Sequence, residues 1–436
     1  MKDPRMLNSP DRHLQSATIS RLMLRLMPFL FLLYIVAYLD RINVSFAILQ
    51  MREPLQLSDR VYGRAAGIFF AGYFFFQLPS NLILHRVGVR RWISGLMIIW
   101  GLISCSMIFI RGPLSFYALR FALGAAEAGF FPGMILYIKH WFPVSARARA
   151  VALFMTANPL AGVIGSPISG ALLGLHGGGL AGWQWLFLLE GIPAIVLGGV
   201  VLAVLVDTPD RARWLTQDEK TWLIGKLRQE EEAISKDTDT GILVAFTNYR
   251  VWIFSVIYFG LAACMYGVTL WLPTVIRSLT KFKDFEVGVV AAVPYIVAAV
   301  VMFLAGLHSD RSGERRWHTA IAAYAGAICL VVAAYAMSPW LVIAGVGLSI
   351  SGAQSMTGPF WAMATTRLSG VAAAASIALI NSIGNLGGYF GPYILGAVRS
   401  SGGDFTAGFL AIAGTLVLGG TLALTAEPDY GNAQAA

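Results

Sequence analysis

The chain has 436 residues, of which 57% are hydrophobic and 13% charged, against about 25% charged in an ordinary soluble domain, so a water-soluble globular protein is excluded. The formal net charge of +9 would suit nucleic acid, but the cations are scattered through segments between apolar runs rather than gathered on one face, and topology explains them better. Cys105, Cys264 and Cys329 lie in apolar runs without metal-ligand spacing and read as small hydrophobes, not as a disulfide framework or a zinc site.

Residues 1–21 are polar and lack the apolar core and cleavage site of a secretory signal, so the first apolar run is its own insertion signal. A helix needs about 20 apolar residues to cross a bilayer. Runs of that kind fall at approximately 22–50, 61–84, 92–110, 113–138, 148–175, 183–206, 251–276, 287–307, 317–337, 339–363, 371–398 and 405–425. Most of the 32 Lys and Arg residues fall in the even-numbered loops and at the termini, which predicts both termini on the cytoplasmic side. The expected architecture is an all-α membrane protein. Twelve transmembrane helices form two pseudo-symmetric six-helix bundles, residues 1–207 and 250–436, joined by a cytoplasmic linker at 208–249.

The first run carries Asp40 and Arg41 more than halfway along. Adjacent helix residues diverge by about 100°, so the two can face different partners. The fourth run carries Arg120 and Glu127, and each charge there costs about 2.5–3.5 kcal/mol on insertion scales, so both should face protein or a wet cavity. Arg120, Gly124 and Glu127 share one helical face, and Gly124 is expected to leave open space between the guanidinium and the carboxylate. Two readings stand: a functional site, or an ion pair that only fixes helix packing.

In the fifth run Asn158 sits at a break made by Pro159, followed by Gly162, Gly165 and Gly170; the eleventh repeats the theme with Gly384, Gly387, Gly388 and Gly391. Small residues permit close helix contact, and Pro weakens the hydrogen-bond ladder. Glu190 stands in a Trp-rich segment of the sixth run and is expected to hydrogen-bond a neighbouring helix. In the linker, Thr216 followed by Glu219 predicts a capping box opening an amphipathic helix, with Trp222, Leu223 and Leu227 on its apolar side. A solvated segment is the favoured reading of that linker.

The loop after the second run reads Asn81-Leu-Ile-Leu-His85-Arg86-Val-Gly88-Val-Arg90-Arg91, and the loop after the eighth reads Gly306-Leu-His-Ser-Asp310-Arg311-Ser-Gly313-Glu-Arg315-Arg316. The shared Arg, Gly, Arg, Arg spacing marks an internal repeat, which in a membrane protein implies a transporter with its site between the halves at mid-depth. No Walker loop or dinucleotide fingerprint is present, so ATP drive is unsupported and no cofactor is expected. No nucleophile and base pair accompanies the intramembrane charges, which argues against an enzyme.

These loops resemble the signature of the major facilitator superfamily, Gly-x-x-x-Asp-Arg-x-Gly-x-Arg-Arg. The second copy matches throughout; the first has Asn81 and His85 in place of Gly and Asp. Tyr38-Leu-Asp40-Arg41-Ile-Asn43, Gln77-Leu-Pro79-Ser80-Asn81, Arg120 to Gly133 and Gly182 to Pro193 are similar to the anion:cation symporter branch, and within it to bacterial tartrate and phthalate transporters. The resemblance implies that Arg41 anchors an anionic substrate, that Asp40 and Glu127 exchange protons, and that Arg120 is their charge partner. It further implies that Tyr38, Tyr73, Trp361 and Asn381, with Asn158, line the cavity, and that His85, Arg86, Asp310 and Arg311 act in gating. The function so implied is proton-coupled import of a small organic carboxylate by a monomer in a bacterial inner membrane. An exchanger or uniporter, and a non-transporting receptor, are the alternatives.

Overall fold

The computed structural model describes residues 9–235, 246–367 and 371–426. Among them the regular elements are helices, apart from one β-bridge between Gly177 and Leu180. Eleven are long and apolar enough to cross a membrane: His13–Met51, Asp59–Leu84, Val89–Phe109, Pro113–Trp141, Val144–Leu172, Gly182–Val204, Tyr249–Leu279, Asp284–Ser312, Arg316–Tyr335, Pro339–Thr366 and Thr406–Thr425. The run expected between the last two is split into Val371–Asn385 and Gly387–Gly402. It is the eleventh span in chain order, and Thr406–Thr425 the twelfth.

Several spans are interrupted partway along, and two of the interruptions have a visible cause. Pro132 sits four residues after the helix break at Ala128, and Pro159 three residues after the break at Thr156, so that its ring faces the carbonyl of Met155, the last residue of the preceding helix. Proline removes a backbone donor and its ring collides with the carbonyl four residues back. The first span passes from Ser9–Ile42 to Val44–Met51 at Asn43 without a proline.

The two halves show their repeat at the loop motifs. Gly88 (φ 88°) and Gly313 (φ 69°) occupy positive-φ backbone that L side chains rarely adopt, which explains why the repeat keeps a glycine there. In each half an arginine of the motif reaches carbonyls at the C-terminal end of that half's last span: Arg90 reaches Leu202, and Arg316 reaches Ala426 at 2.9 Å and Leu424 at 3.4 Å. Cations are favoured at that end of a helix.

The linker holds a helix, Gln217–Ser235, with the expected capping box: Glu219 accepts from the Thr216 N–H at 2.8 Å, and the Thr216 hydroxyl accepts from the Glu219 N–H at 3.3 Å. This helix is docked rather than fully solvated. Leu223 is buried, with Trp222 and Leu227 packed on the core. Arg21 pairs with Glu219 at 2.7 Å, and the Glu230 carboxylate accepts from the Val144 N–H at the start of the fifth span.

Contact between the halves runs along two glycine seams. A Cβ on Gly63 would meet the Pro392 carbonyl oxygen at 2.5 Å, and one on Gly67 the Tyr389 carbonyl oxygen at 2.5 Å, joining the second span to the eleventh. Gly170 and Gly288 join the fifth span to the eighth in the same way. Arg399 reaches Asp59 at 3.5 Å, and Gln50 donates to Asp284 at 2.8 Å. Asp59 and Asp284 open their spans at the end of the bundle remote from both termini, so the two halves are in contact at that end.

Gly124 is packed differently from expectation. A Cβ there would overlap the Phe69 carbonyl, so the space beside it is filled by the backbone of the second span. Gly124→Ala should therefore cost about 1–3 kcal/mol by overpacking and lower the thermal midpoint of the purified protein. Gly95→Ala, with nothing within 4 Å of its Cβ, should leave that midpoint unchanged or raise it.

Candidate functional site

Arg41 of the first span is the centre of the arrangement. Its Nε and Nη2 donate to Glu127 Oε2 at 3.2 and 2.9 Å, and its Nη1 donates to the Tyr266 hydroxyl of the seventh span at 3.2 Å. The guanidinium lies 5.2 Å from the centroid of Phe69 and 5.5 Å from that of Tyr73. Phe69 and Tyr73 are one helical turn apart, so the second span presents both rings to one cation. One guanidinium thus touches both halves of the protein. Its side chain keeps 12% exposure while Glu127 keeps 1%.

Arg120 does not pair with Glu127. Its Nε donates to the Ala65 carbonyl at 3.4 Å and its guanidinium lies 4.9 Å from the Phe69 centroid, because the second span fills the space at Gly124. Arg120 acts on Glu127 only through its charge at a distance. The Arg120 Nη1 and Nη2 atoms and Glu127 Oε1 are buried without hydrogen-bond partners.

Asp40 points elsewhere, as adjacent helix positions require. It is fully buried within the first half, accepting from the Ser104 hydroxyl at 2.7 Å and from Trp100 Nε1 at 3.1 Å. Glu190 accepts from the Ser169 hydroxyl of the fifth span at 2.7 Å, the bond to a neighbouring helix that its setting suggested.

The aromatic and amide residues gather less tightly. Tyr73 is under Arg41; Tyr38 is buried with its hydroxyl unpaired, and Asn158 is buried with Oδ1 unpaired. In the second half Trp361 packs edge-on to Tyr258 at 5.1 Å, and the Asn381 side chain accepts from Asn385 at 3.2 Å. Sequence reasoning missed Phe69 and Tyr266. Phe69 was within reach, one turn before Tyr73; Tyr266 sits in an uncharged run with no local signal.

At the loop motifs, Asp310 accepts from Arg315 Nη1 at 2.6 Å with 71% of its side chain exposed, and Arg86 and Arg311 are exposed. The His85 side chain lies outside the described residues. Among the described residues no three His, Cys, Asp or Glu side chains are grouped to hold a metal.

Comparison with known proteins identifies the family. The Major Facilitator Superfamily profile matches residues 30–392. A protein named "Putative tartrate transporter" from Agrobacterium vitis is 47% identical over 412 residues, covering 94% of this chain and 95% of that protein. The inner membrane transport protein RhmT of Escherichia coli is 36% identical, covering 94% and 96%. Among solved structures, the partially occluded, inward-open xylose transporter XylE of E. coli superposes with a TM-score of 0.75 at 15% identity, covering 94% of this chain and 99% of that one, which speaks to fold. The chain belongs to the Major Facilitator Superfamily, and is a multi-span membrane transporter that needs no cofactor and is not an enzyme.

Proposed function

We propose that the protein imports a small organic carboxylate across the bacterial inner membrane in symport with protons, by alternating access, with both termini cytoplasmic. One observation carries the reading: the Arg41 fork that would bind a substrate carboxylate is occupied by Glu127 while its third contact lies on Tyr266 in the other half. A planar guanidinium matches a carboxylate in a way an ammonium does not. Substrate and Glu127 therefore compete for the same donors.

Protonating Glu127 removes its charge and releases the fork, and a bound anion in turn favours the protonated acid. Proton and anion then bind cooperatively, and by linkage each strengthens the other equally. Without either, Arg41 and Glu127 neutralise one another in a low-dielectric interior, and Arg120 stays beside them as a buried cation outside the ion pair. Tyr38, Tyr73, Asn158, Trp361 and Asn381 supply the wall of the pocket. The tartrate named in the A. vitis relatives supports the carboxylate class. Arg86, His85, Asp310 and Arg311 take gating roles at the ends of the second and eighth spans, where the Asp310 contact to Arg315 is one that could be made and broken.

Two outcomes test this. Arg41→Lys keeps the charge but loses the fork, so affinity for the carboxylate should fall about tenfold to a hundredfold, the loss of one charge-assisted hydrogen bond, in a calorimetric titration of purified protein. Unchanged affinity would remove Arg41 from the site. Glu127→Gln mimics the permanently protonated carrier. It should still exchange substrate in counterflow but fail to concentrate it in proteoliposomes under a proton gradient. Gradient-driven accumulation by the variant would transfer coupling elsewhere, and a wild type indifferent to the gradient would make the protein an exchanger or uniporter.

A further inference from the structure

The register that carries Arg86 and Gly88 of the first loop motif onto Arg311 and Gly313 of the second also carries Arg52, Asp59 and Gly63 onto Arg277, Asp284 and Gly288. The repeat therefore has a second signature, at the end of the bundle remote from the termini, and it is built alike in both copies. Asp59 holds Arg52 through Oδ1 at 2.5 Å and reaches Arg399 of the other half through Oδ2 at 3.5 Å. Asp284 holds Arg277 through Oδ1 at 3.0 Å and accepts from Gln50 of the other half through Oδ2 at 2.8 Å.

The copies differ in what lies between the arginine and the aspartate. Lys281 and Lys283 stand where the first half has Gln56 and Ser58. Both lysines are exposed, and neither side chain has an ion-pair or hydrogen-bond partner among the described residues. Asp284 is already engaged at both oxygens, and Glu286, the other acid of this segment, turns back to accept from the Lys283 N–H at 2.7 Å. Three cations thus stand against two acids, and the two lysines are left over.

The surplus charge lines an opening. Arg277, Lys281, Lys283 and Asp284 form one wall of a cleft of about 740 Å³ between the halves, and Gly170, Ala171 and Gly174 at the end of the fifth span form the other. Small-molecule sites run from about 300 to 1,000 Å³. The acceptors at that end of the fifth span are taken: the Ala171 carbonyl accepts from the Gly174 N–H at 3.0 Å, the Leu172 carbonyl from the Leu175 N–H at 3.0 Å and the Leu173 carbonyl from Gln50 at 2.8 Å. The cleft sets unpaired ammonium groups against satisfied acceptors, which is the complement of a small anion. An ammonium is a point charge with three rotatable donors, so it attracts a carboxylate without fixing its geometry.

We infer that this cleft is a docking site for small carboxylates, separate from Arg41, in which Lys281 and Lys283 gather the anion beside the seam between the fifth and eighth spans. Loose capture of this kind raises the local concentration of an anion and its rate of entry, and salt screens it. That the gathered anion is the cargo rests on the proposed function; the site itself rests on the cleft and its unpaired cations.

One measurement tests the site without transport. In a variant whose three native cysteines are replaced, a neutral fluorophore on Ala171→Cys reports the cleft. Iodide should quench it severalfold more strongly than in the same protein carrying Lys281→Gln and Lys283→Gln, and neutral acrylamide should quench both alike. Tartrate should remove the iodide excess at concentrations where sodium chloride of equal ionic strength does not. Equal iodide quenching, unequal acrylamide quenching, or chloride as effective as tartrate overturns the site. Uptake into oriented proteoliposomes tests its role. The double glutamine variant should raise the KM for tartrate offered at this face severalfold, with the maximal rate kept and the salt dependence flattened, and arginine at both positions should restore the wild-type values. For tartrate offered at the face of the termini the KM should stay that of wild type. A KM unchanged at this face, or raised equally at both, overturns the role in entry. Wild-type vesicles that take up no tartrate would count against the proposed cargo, and the quenching result would still decide the site.

Discussion

Everything in this protein is arranged around the difficulty of keeping charge in an apolar interior. A lone guanidinium at mid-depth would be expensive, and Arg41 is stabilised by a carboxylate from the fourth span, a hydroxyl from the seventh and two aromatic faces from the second. Four spans are thereby tied to one side chain. Because the ion pair neutralises itself, any molecule that breaks it must replace what it takes away. On the carboxylate reading proposed above, that requirement selects for an anion over a neutral sugar of the same size.

Much of this was legible in the sequence. Spanning helices announce themselves because each must be about 20 apolar residues long, and the linker helix did so through its capping box. The separation of Asp40 from Arg41 followed from helix geometry alone. What failed was the inference across helices: periodicity shows which residues share a face, not what packs against it. Gly124 looked like open space and is the point where the Phe69 backbone enters. For the same reason Arg120 and Glu127, neighbours on one face, have different partners, and Tyr266 could not be foreseen from its own run. The docking of Gln217–Ser235 escaped because its anchors, Arg21 and Val144, are remote in sequence.

The two halves use their shared pattern unequally. Both keep the glycine with positive φ and an arginine on the end of the last span, which are requirements of the turn. The intramembrane charges belong to the first half, and the second supplies aromatic and amide groups. The repeat has thus kept the turn in both copies while concentrating the electrostatics in one.

The glycine seams that join the halves at the end remote from the termini have an energetic consequence. Where Gly63, Gly67, Gly170 and Gly288 meet carbonyls and α-carbons of the opposite half, backbone lies on backbone, while the Phe70 and Tyr295 rings fill the same two seams against Gly388 and Gly162. The glycines have no rotamers of their own to reorder when such a surface parts. On the alternating-access reading proposed above, the glycine positions therefore add little to the cost of moving between the two orientations of the carrier, which leaves more of that balance to the bound ligand.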